Sequence, residues 1–261
     1  LPFIDVKIDN SFIKKQLQLY SKVKEYLFSI AMKKGSENNI APEYVTMVID
    51  KLAKSDAIFT VDTGMCCVWG ARYLHATGKR EMLGSFNHGS MANAMPMAIG
   101  AAFARPDQQI IAICGDGGLS MLLGDLATIV QYNLPIKLIV FDNRSLGMVK
   151  LEMEVAGLPD WQTDMHNPDF MKVAEAMGMK GFSVSDPDKV EEVVETALET
   201  PGPALVSVKT DPNALVMPPK IEFDQIKGFA EAMIKLILDG RGEEVWNTAK
   251  SNMKNIWGIT L

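Results

Sequence analysis

From about residue 41 onward the chain alternates between two rhythms of apolar and polar positions. Short, mainly apolar runs, "AIFTVD" at 57–62, "QIIAIC" at 109–114, "IKLIVF" at 136–141 and "ALVSVK" at 204–209, are bounded by turn residues and read as buried strands. Shorter strands are expected around 82–86 and 181–184. Between them, helical spacing predicts helices at 42–54, 65–75, 91–104, 119–131, 168–178 and 188–199. The fourth of these puts Leu119, Leu122, Leu123, Leu126 and Val130 on one stripe. Strands that alternate with helices predict an α/β fold, a doubly wound and mostly parallel sheet with helices on both faces. In such sheets ligands sit beyond the carboxyl ends of strands, at a switch point in strand order.

The two ends of the chain read differently. Residues 11–34 are lysine-rich and place Phe12, Leu17, Leu19, Val23, Leu27 and Ile30 at helical spacing, and "KKGSENN" at 33–39 is a polar break, read as a linker or exposed turn. Near the C-terminus, Ile226, Phe229, Ala230, Met233, Ile234 and Ile237 form one apolar stripe. Val245, Trp246, Ala249, Met253, Ile256 and Trp257 continue it, with Lys250 and Lys254 on other faces. The first stripe is read as packing against the protein's own body, whereas the second, with its Trp and Lys, suits that or a membrane surface. The expected division is therefore 1–40 as the tail of a preceding domain and a connector, 41–210 as the central domain, and 211–261 as a helical C-terminal segment.

Composition narrows the function classes. The 261 residues are 48% apolar, enough for a substantial core. Net charge is −6 with dispersed basic residues, which argues against a nucleic-acid partner. No apolar run approaches the roughly 20 residues that span a bilayer. The opening "LPFIDVKIDN" has neither a starting Met nor a signal-peptide layout and reads as mid-chain, so a fragment of a longer protein is expected. Cys66, Cys67 and Cys114 form no CxxC and no pair with a histidine, and bridging adjacent cysteines is strained. They read as buried, reduced thiols of a cytosolic protein.

The stretch "ICGDGGLS" at 113–120 raises the chemical question. A glycine turn between a strand and a helix is a natural phosphate cradle, yet this one carries a carboxylate, Asp116. Asn143 follows 27 positions later, at the end of the next predicted strand. In a βαβ unit both emerge at one sheet edge. An aspartate repels a bare phosphate but attracts one across a divalent cation, and Mg²⁺ takes one or two protein oxygens plus phosphate oxygens and water. Asp116, Asn143 and a backbone carbonyl, assigned to Ser145, would supply the protein ligands. A plain helix cap at Asp116 and a turn at Asn143 are the local alternatives.

GDG, some two dozen residues and then an Asn-containing pair resembles the signature of thiamine-diphosphate enzymes. Segments "GSFNHGSMANAMP" at 84–96, "MPPKIEFDQIKGF" at 217–229 and "GRGEEVWNTAKSN" at 240–252 resemble, within that group, the bacterial membrane-associated pyruvate oxidases. The likeness runs from about 41 to about 252, with one departure, because the usual Asn-Asn pair reads Asp142-Asn143. The resemblance implies the thiamine-diphosphate-binding fold, thiamine diphosphate and Mg²⁺ as cofactors, and FAD held mainly by a domain outside this sequence. It assigns Asp116, Asn143 and Ser145 to the metal. It assigns Gly64, Gly89, Ser90, Met91, Gly115, Gly117, Gly118, Leu146 and Gly147 to the cofactor. Met91 would wedge the bent thiamine, with its N–H and the Gly89 carbonyl on the pyrimidine edge. Asp62-Thr63-Gly64 would approach the diphosphate. His88 is given a structural or pocket role, and His75 and His166 are read as surface residues. Lys150 to Glu154 would line the substrate entrance, and Met148 stands where related oxidases carry an aromatic.

By the same resemblance no catalytic residue lies in this chain. The activating glutamate is expected in an upstream pyrimidine domain of the neighbouring subunit, so the chain alone is expected to be inactive. The implied reaction is oxidative decarboxylation of pyruvate to acetate with a quinone, ubiquinone or menaquinone, as acceptor. The setting would be a homo-oligomer at the inner face of the cell membrane. A phosphate-dependent oxidase, an acetolactate-synthase-like carboligase, and a non-catalytic oligomerisation or membrane-docking module are the alternatives.

Overall fold

The computed structural model describes residues 10–215 and 223–256. Helix α1 (Ser11–Ala31) leads through a small antiparallel hairpin, β1 (Gly35–Ser36) and β2 (Asn39–Ile40), into α2 (Pro42–Leu52). The "KKGSENN" break thus folds as a hairpin, with Gly35 at φ +87 where a Cβ would strike the Asn39 carbonyl. The chain then runs β3 (Ile58–Val61), α3 (Met65–Tyr73), β4 (Glu81–Gly84), α4 (Ala94–Ala104), β5 (Ile110–Gly115), α5 (Asp116–Met121), α6 (Leu126–Gln131), β6 (Ile136–Asp142), α7 (Gly147–Val155), α8 (Phe170–Met177), β7 (Lys180–Val184), α9 (Val190–Glu199) and β8 (Ala204–Lys209).

Six strands form one sheet in the order β4-β3-β5-β6-β8-β7, every neighbouring pair parallel. The chain steps outward from β3 to β4, then returns across β3 to β5, so the switch point lies between β3 and β5. Period-two alternation in each strand feeds two cores. On one face Phe59, Val61, Ile111, Ile113, Ile139, Phe141, Val206 and Val208 pack beneath α2, α3 and α9. On the other, Ile58, Ile110, Ala112, Cys114, Leu138, Val140 and Leu205 pack beneath α4, α6 and α8. Each such aliphatic side chain contributes roughly 1.5–3 kcal/mol by leaving water. Burial on both faces is what makes these strands mainly apolar, with Thr60, Lys137 and Ser207 the buried exceptions short of the strand ends.

The expected single helix over 119–131 is two helices. A 3₁₀ turn at Leu123–Asp125 separates α5 from α6, and Leu122 leaves helical geometry at φ −122, ψ 28. Leu119 and Leu126 are buried while Leu122 is exposed, so the stripe does not lie on one face. Gly124 weakens the helix where it breaks.

Two further described helices follow β8, α10 (Phe223–Leu238) and α11 (Gly242–Ile256). α10 packs on α7, close enough that a Cβ on Gly228 would lie 2.0 Å from the Val155 carbonyl oxygen. Lys235 donates to the Gly157 carbonyl at 2.7 Å. On α11 the packed face is polar: Thr248 and Asn252 are buried, and Asn252 holds Asn213 O at 2.8 Å and Leu215 N at 2.9 Å. Of the apolar stripe expected there, Trp246 and Ala249 are exposed and Val245 is half-buried. The side chains of Met253 and Ile256, all of Trp257, and residues 217–222 of the quoted C-terminal motif lie outside the described residues. None of the described helices is long and apolar enough to cross a membrane.

Candidate functional site

The carboxyl ends of β3, β5 and β6 open onto one cleft of about 250 Å³. Each strand end passes into glycine and polar residues that face the cleft. β3 is followed by Thr63 and Gly64, β5 ends in Gly115 and runs directly into Asp116, and β6 is followed by Asn143 and Ser145, all on the cleft wall. Gly64 has φ +137, backbone that only glycine takes without strain, and leads into the N-terminus of α3. Met91 and Gly89 close the side nearest β4, and Leu146, Gly147, Met148, Val149 and Glu152 close it from α7.

Asp116 is 3% exposed and its two oxygens are used unequally. Oδ1 accepts the Gly117 N–H at 2.8 Å. Oδ2 accepts the Arg144 N–H at 2.6 Å and an Asn167 Nδ2 hydrogen at 2.7 Å. The aspartate therefore reaches across to the loop after β6, directly beside Asn143. Arg144 sits at φ +55, a left-handed conformation uncommon for a side-chain-bearing residue, and this turns its N–H toward the carboxylate. Asn143 Oδ1 accepts the Ser145 N–H at 3.1 Å. The loop is clamped from outside by Leu146 N to Thr163 O at 2.8 Å and Met165 N to Arg144 O at 2.9 Å. Burial pushes the Asp116 carboxyl up to about 6, against the lowering effect of its three donors. A cation bound there would favour the ionised form.

Two features make room for a metal–diphosphate group. The hydroxyl of Ser145 is buried without a partner, an acceptor and donor held at the cleft wall. At Gly117 a Cβ would lie 2.9 Å from the Leu146 side chain and 3.5 Å from that of Met91, so the bare turn lets both side chains close on the cleft. A hard-oxygen donor set of one carboxylate and one amide oxygen suits Mg²⁺. The residues present therefore fit the group.

Of the expected cofactor residues, Gly64, Gly89, Met91, Gly115, Asp116, Gly117, Gly118, Asn143, Ser145, Leu146 and Gly147 line this one cleft. Ser90 does not. It is exposed, its N–H bonded to Ser85 Oγ at 3.1 Å and its hydroxyl to Met91 O at 3.2 Å. His88 is also exposed and off the cleft wall. The Asp62 side chain turns away from the cleft: Oδ1 accepts the Ala94 N–H at 2.8 Å at the start of α4, and Oδ2 is buried against Gly118. Burial pushes its carboxyl up to about 6. His75 pairs with Asp50 at 2.6 Å on the surface and His166 is exposed. The thiols of Cys66 and Cys114 are raised by burial, which suits inert core residues.

Asn167 was not expected. It sits in the loop before α8, 51 positions from Asp116, with no local pattern to mark it. Its Nδ2 also donates to Asp142 Oδ1 at 2.8 Å. Asp142, fully buried, is paired with the Lys209 ammonium and accepts from Ser207 Oγ at 3.2 Å. The extra carboxylate of the Asp142-Asn143 pair thus faces away from the cleft and is charge-balanced.

Comparison with known proteins gives an independent reading. Residues 62–208 match the family model described as thiamine pyrophosphate enzyme, C-terminal TPP binding domain. The chain is 34% identical over 212 residues to the Bacillus subtilis protein YdaP, described as thiamine pyrophosphate-containing, covering 81% of this chain and 37% of that one. It is 33% identical over 187 residues to the acetolactate synthase large subunit of Pyropia yezoensis, covering 67% and 30%. With the mitochondrial acetolactate synthase catalytic subunit of Aspergillus candidus it shares 36% over 167 residues, covering 63% and 24%. The chain spans about a third or less of the length of these relatives.

Proposed function

We propose, from the premise that this chain belongs to the thiamine pyrophosphate enzyme family and carries its C-terminal TPP-binding domain, that it forms the metal- and diphosphate-binding half of an enzyme acting on pyruvate. The observation that carries this reading is that Asp116 and Asn143 come from the ends of adjacent parallel strands to one glycine-lined cleft. Asp116, Asn143 and the Ser145 carbonyl would hold Mg²⁺. The dipole at the start of α3, beside Gly64, would favour the diphosphate. Met91, between Gly89 and the left-handed Ala92 at φ +62, would support the thiamine rings. When bound, thiamine diphosphate supplies carbanion stabilisation after decarboxylation. The residues of this chain would orient it, and Met148 and Val149 contribute apolar lining to the cleft.

For the whole protein the reading is oxidative decarboxylation of pyruvate to acetate, with FAD and a quinone as electron acceptors and other segments of the same and a neighbouring subunit completing the site. The motifs at 84–96, 217–229 and 240–252 support it. A homo-oligomer docked on the inner membrane face belongs to the same proposal, and the exposed Trp246 is compatible with it. The relatives named as acetolactate synthases favour a second reading, a carboligase. Full-length enzyme supplied with pyruvate, a soluble quinone and phosphate separates them. Acetate with quinone reduction is expected. Acetolactate without reduction would replace the first reading by the second, and acetyl phosphate would point to the phosphate-dependent oxidase. Failure to bind thiamine diphosphate at all would favour a non-catalytic module.

A further inference from the structure

Two buried carboxylates, Asp116 and Asp142, stand on neighbouring strand ends and would repel one another across the gap. The group between them is a single side-chain nitrogen. Asn167 Nδ2 gives one hydrogen to Asp116 Oδ2 at 2.7 Å and the other to Asp142 Oδ1 at 2.8 Å. This fixes the amide orientation, because the reverse flip would set its oxygen against both carboxylates. The remaining charge on Asp142 is neutralised by Lys209, from the end of β8. Lys209, Asp142, Asn167 and Asp116 therefore form one chain of contacts from the far side of β6 to the cleft.

The chain ends on a chemical asymmetry. Asp116 Oδ2 carries two donors, Arg144 N and Asn167 Nδ2, whereas Oδ1 carries only the Gly117 N–H. Oδ2 is thereby committed to the protein, and Oδ1 keeps acceptor capacity. We propose that Asn167 is a positioning residue for the metal ligand Asp116, held in place by the charge-balanced Asp142, and that this chain presents Asp116 to the cation through one oxygen. The inference rests on the metal–diphosphate reading above. It also gives the Asp142 departure from the family's usual asparagine a role: Asp142 anchors Asn167 and does not bind the cation.

The test is Mn²⁺ binding to the full-length protein in the presence of saturating thiamine diphosphate, followed by electron paramagnetic resonance, for the wild type and for Asn167→Ala, Asp142→Asn and the double variant. Partners of this kind tune metal affinity by about 10–100-fold. Asn167→Ala is expected to raise the Mn²⁺ Kd by that factor in a protein that still folds, and to lower the urea midpoint, because two buried carboxylates lose their shared donor. The double variant is expected to be no weaker than Asn167→Ala alone, since Asp142 acts through Asn167. Asn167→Ala with wild-type Mn²⁺ affinity, or losses that multiply in the double variant, would overturn the inference alone. A wild-type protein that binds no Mn²⁺ with the cofactor would overturn the underlying reading and the inference with it.

Discussion

Replacing Gly118 by alanine probes how tightly the floor of the cleft is built. Gly118 lies in α5 with ordinary helical backbone, so by propensity alone alanine would stabilise the protein by about 1 kcal/mol. The surroundings reverse that sign. The new Cβ would fall 2.3 Å from Asp62 Oδ2 and 2.9 Å from its Cγ, where an ordinary contact needs 3.4 Å or more. Asp62 cannot simply swing aside, because it is 1% exposed and Oδ1 is held by Ala94 N at 2.8 Å. Moving the carboxylate sacrifices that bond, worth roughly 1.5–3 kcal/mol for a charged acceptor, and overpacking adds about 1–3 kcal/mol. Gly118→Ala is therefore expected to destabilise by roughly 2–5 kcal/mol. In an Asp62→Ala background the main obstacle is gone and only the Ala92 backbone N remains close, at 3.3 Å, so the same substitution should cost under about 1 kcal/mol. Urea unfolding of the four proteins of this cycle gives the coupling directly. Additive costs, with Gly118→Ala equally damaging in both backgrounds, would refute the close approach.

Glu154, 1% exposed in a cluster with Lys150, Asp160, Arg241 and Glu244, is pushed by burial up to about 7 from 4.5. The unfolded chain ionises first, so this group removes stability as pH rises from 4.5 to 7 and the loss is complete above 7. Glu154→Gln should leave urea stability unchanged near pH 4 and raise it by roughly 1–3 kcal/mol at pH 8; an equal effect at both pH values would contradict the burial. Arg80 joins the end of α2 to β4, pairing with Asp50 at 2.7 Å and donating to the carbonyls of Asp50, Ala53 and Lys54. Arg80→Ala is expected to cost about 3 kcal/mol in thermal unfolding, with Arg80→Lys restoring under half because an ammonium lacks the planar fork.

The inner strands β3, β5, β6 and β8 are legible because burial on both faces leaves few polar positions, Thr60, Lys137 and Ser207, to interrupt them, and the strand ends carry the chemistry with them. Asp116 and Asn143 could be brought together from spacing alone, since one βαβ step puts both at the same edge. Helix α7 was not legible as a helix: Leu151, Met153 and Val155 alternate as a strand would, and it is the packing of α10 on α7 that settles the conformation. On α10 the apolar stripe read as packing inward is not the buried face: Ile226, Ile234 and Ile237 are exposed while Ala232 and Leu236 are buried. On α11 the contact is polar, made by Thr248 and Asn252 through hydrogen bonds to the loop at 213–215, which no apolar spacing announces. Asn167 had no sequence signal because its partners lie 51 and 25 positions away and its own neighbourhood is an irregular loop. Ser90 follows Gly89 in the motif, but the turn to Met91 carries its side chain outward.

The central claim is that one divalent cation, shared by Asp116 and Asn143, anchors the diphosphate. Calorimetric titration of the full-length protein with thiamine diphosphate and with thiamine monophosphate, with and without Mg²⁺, tests it most directly when repeated on Asp116→Ala and Asn143→Ala. The expected result is tight binding of the diphosphate only with Mg²⁺, lost in both variants while their folds persist. Binding of equal strength without the metal, or undiminished in both variants, would contradict the account.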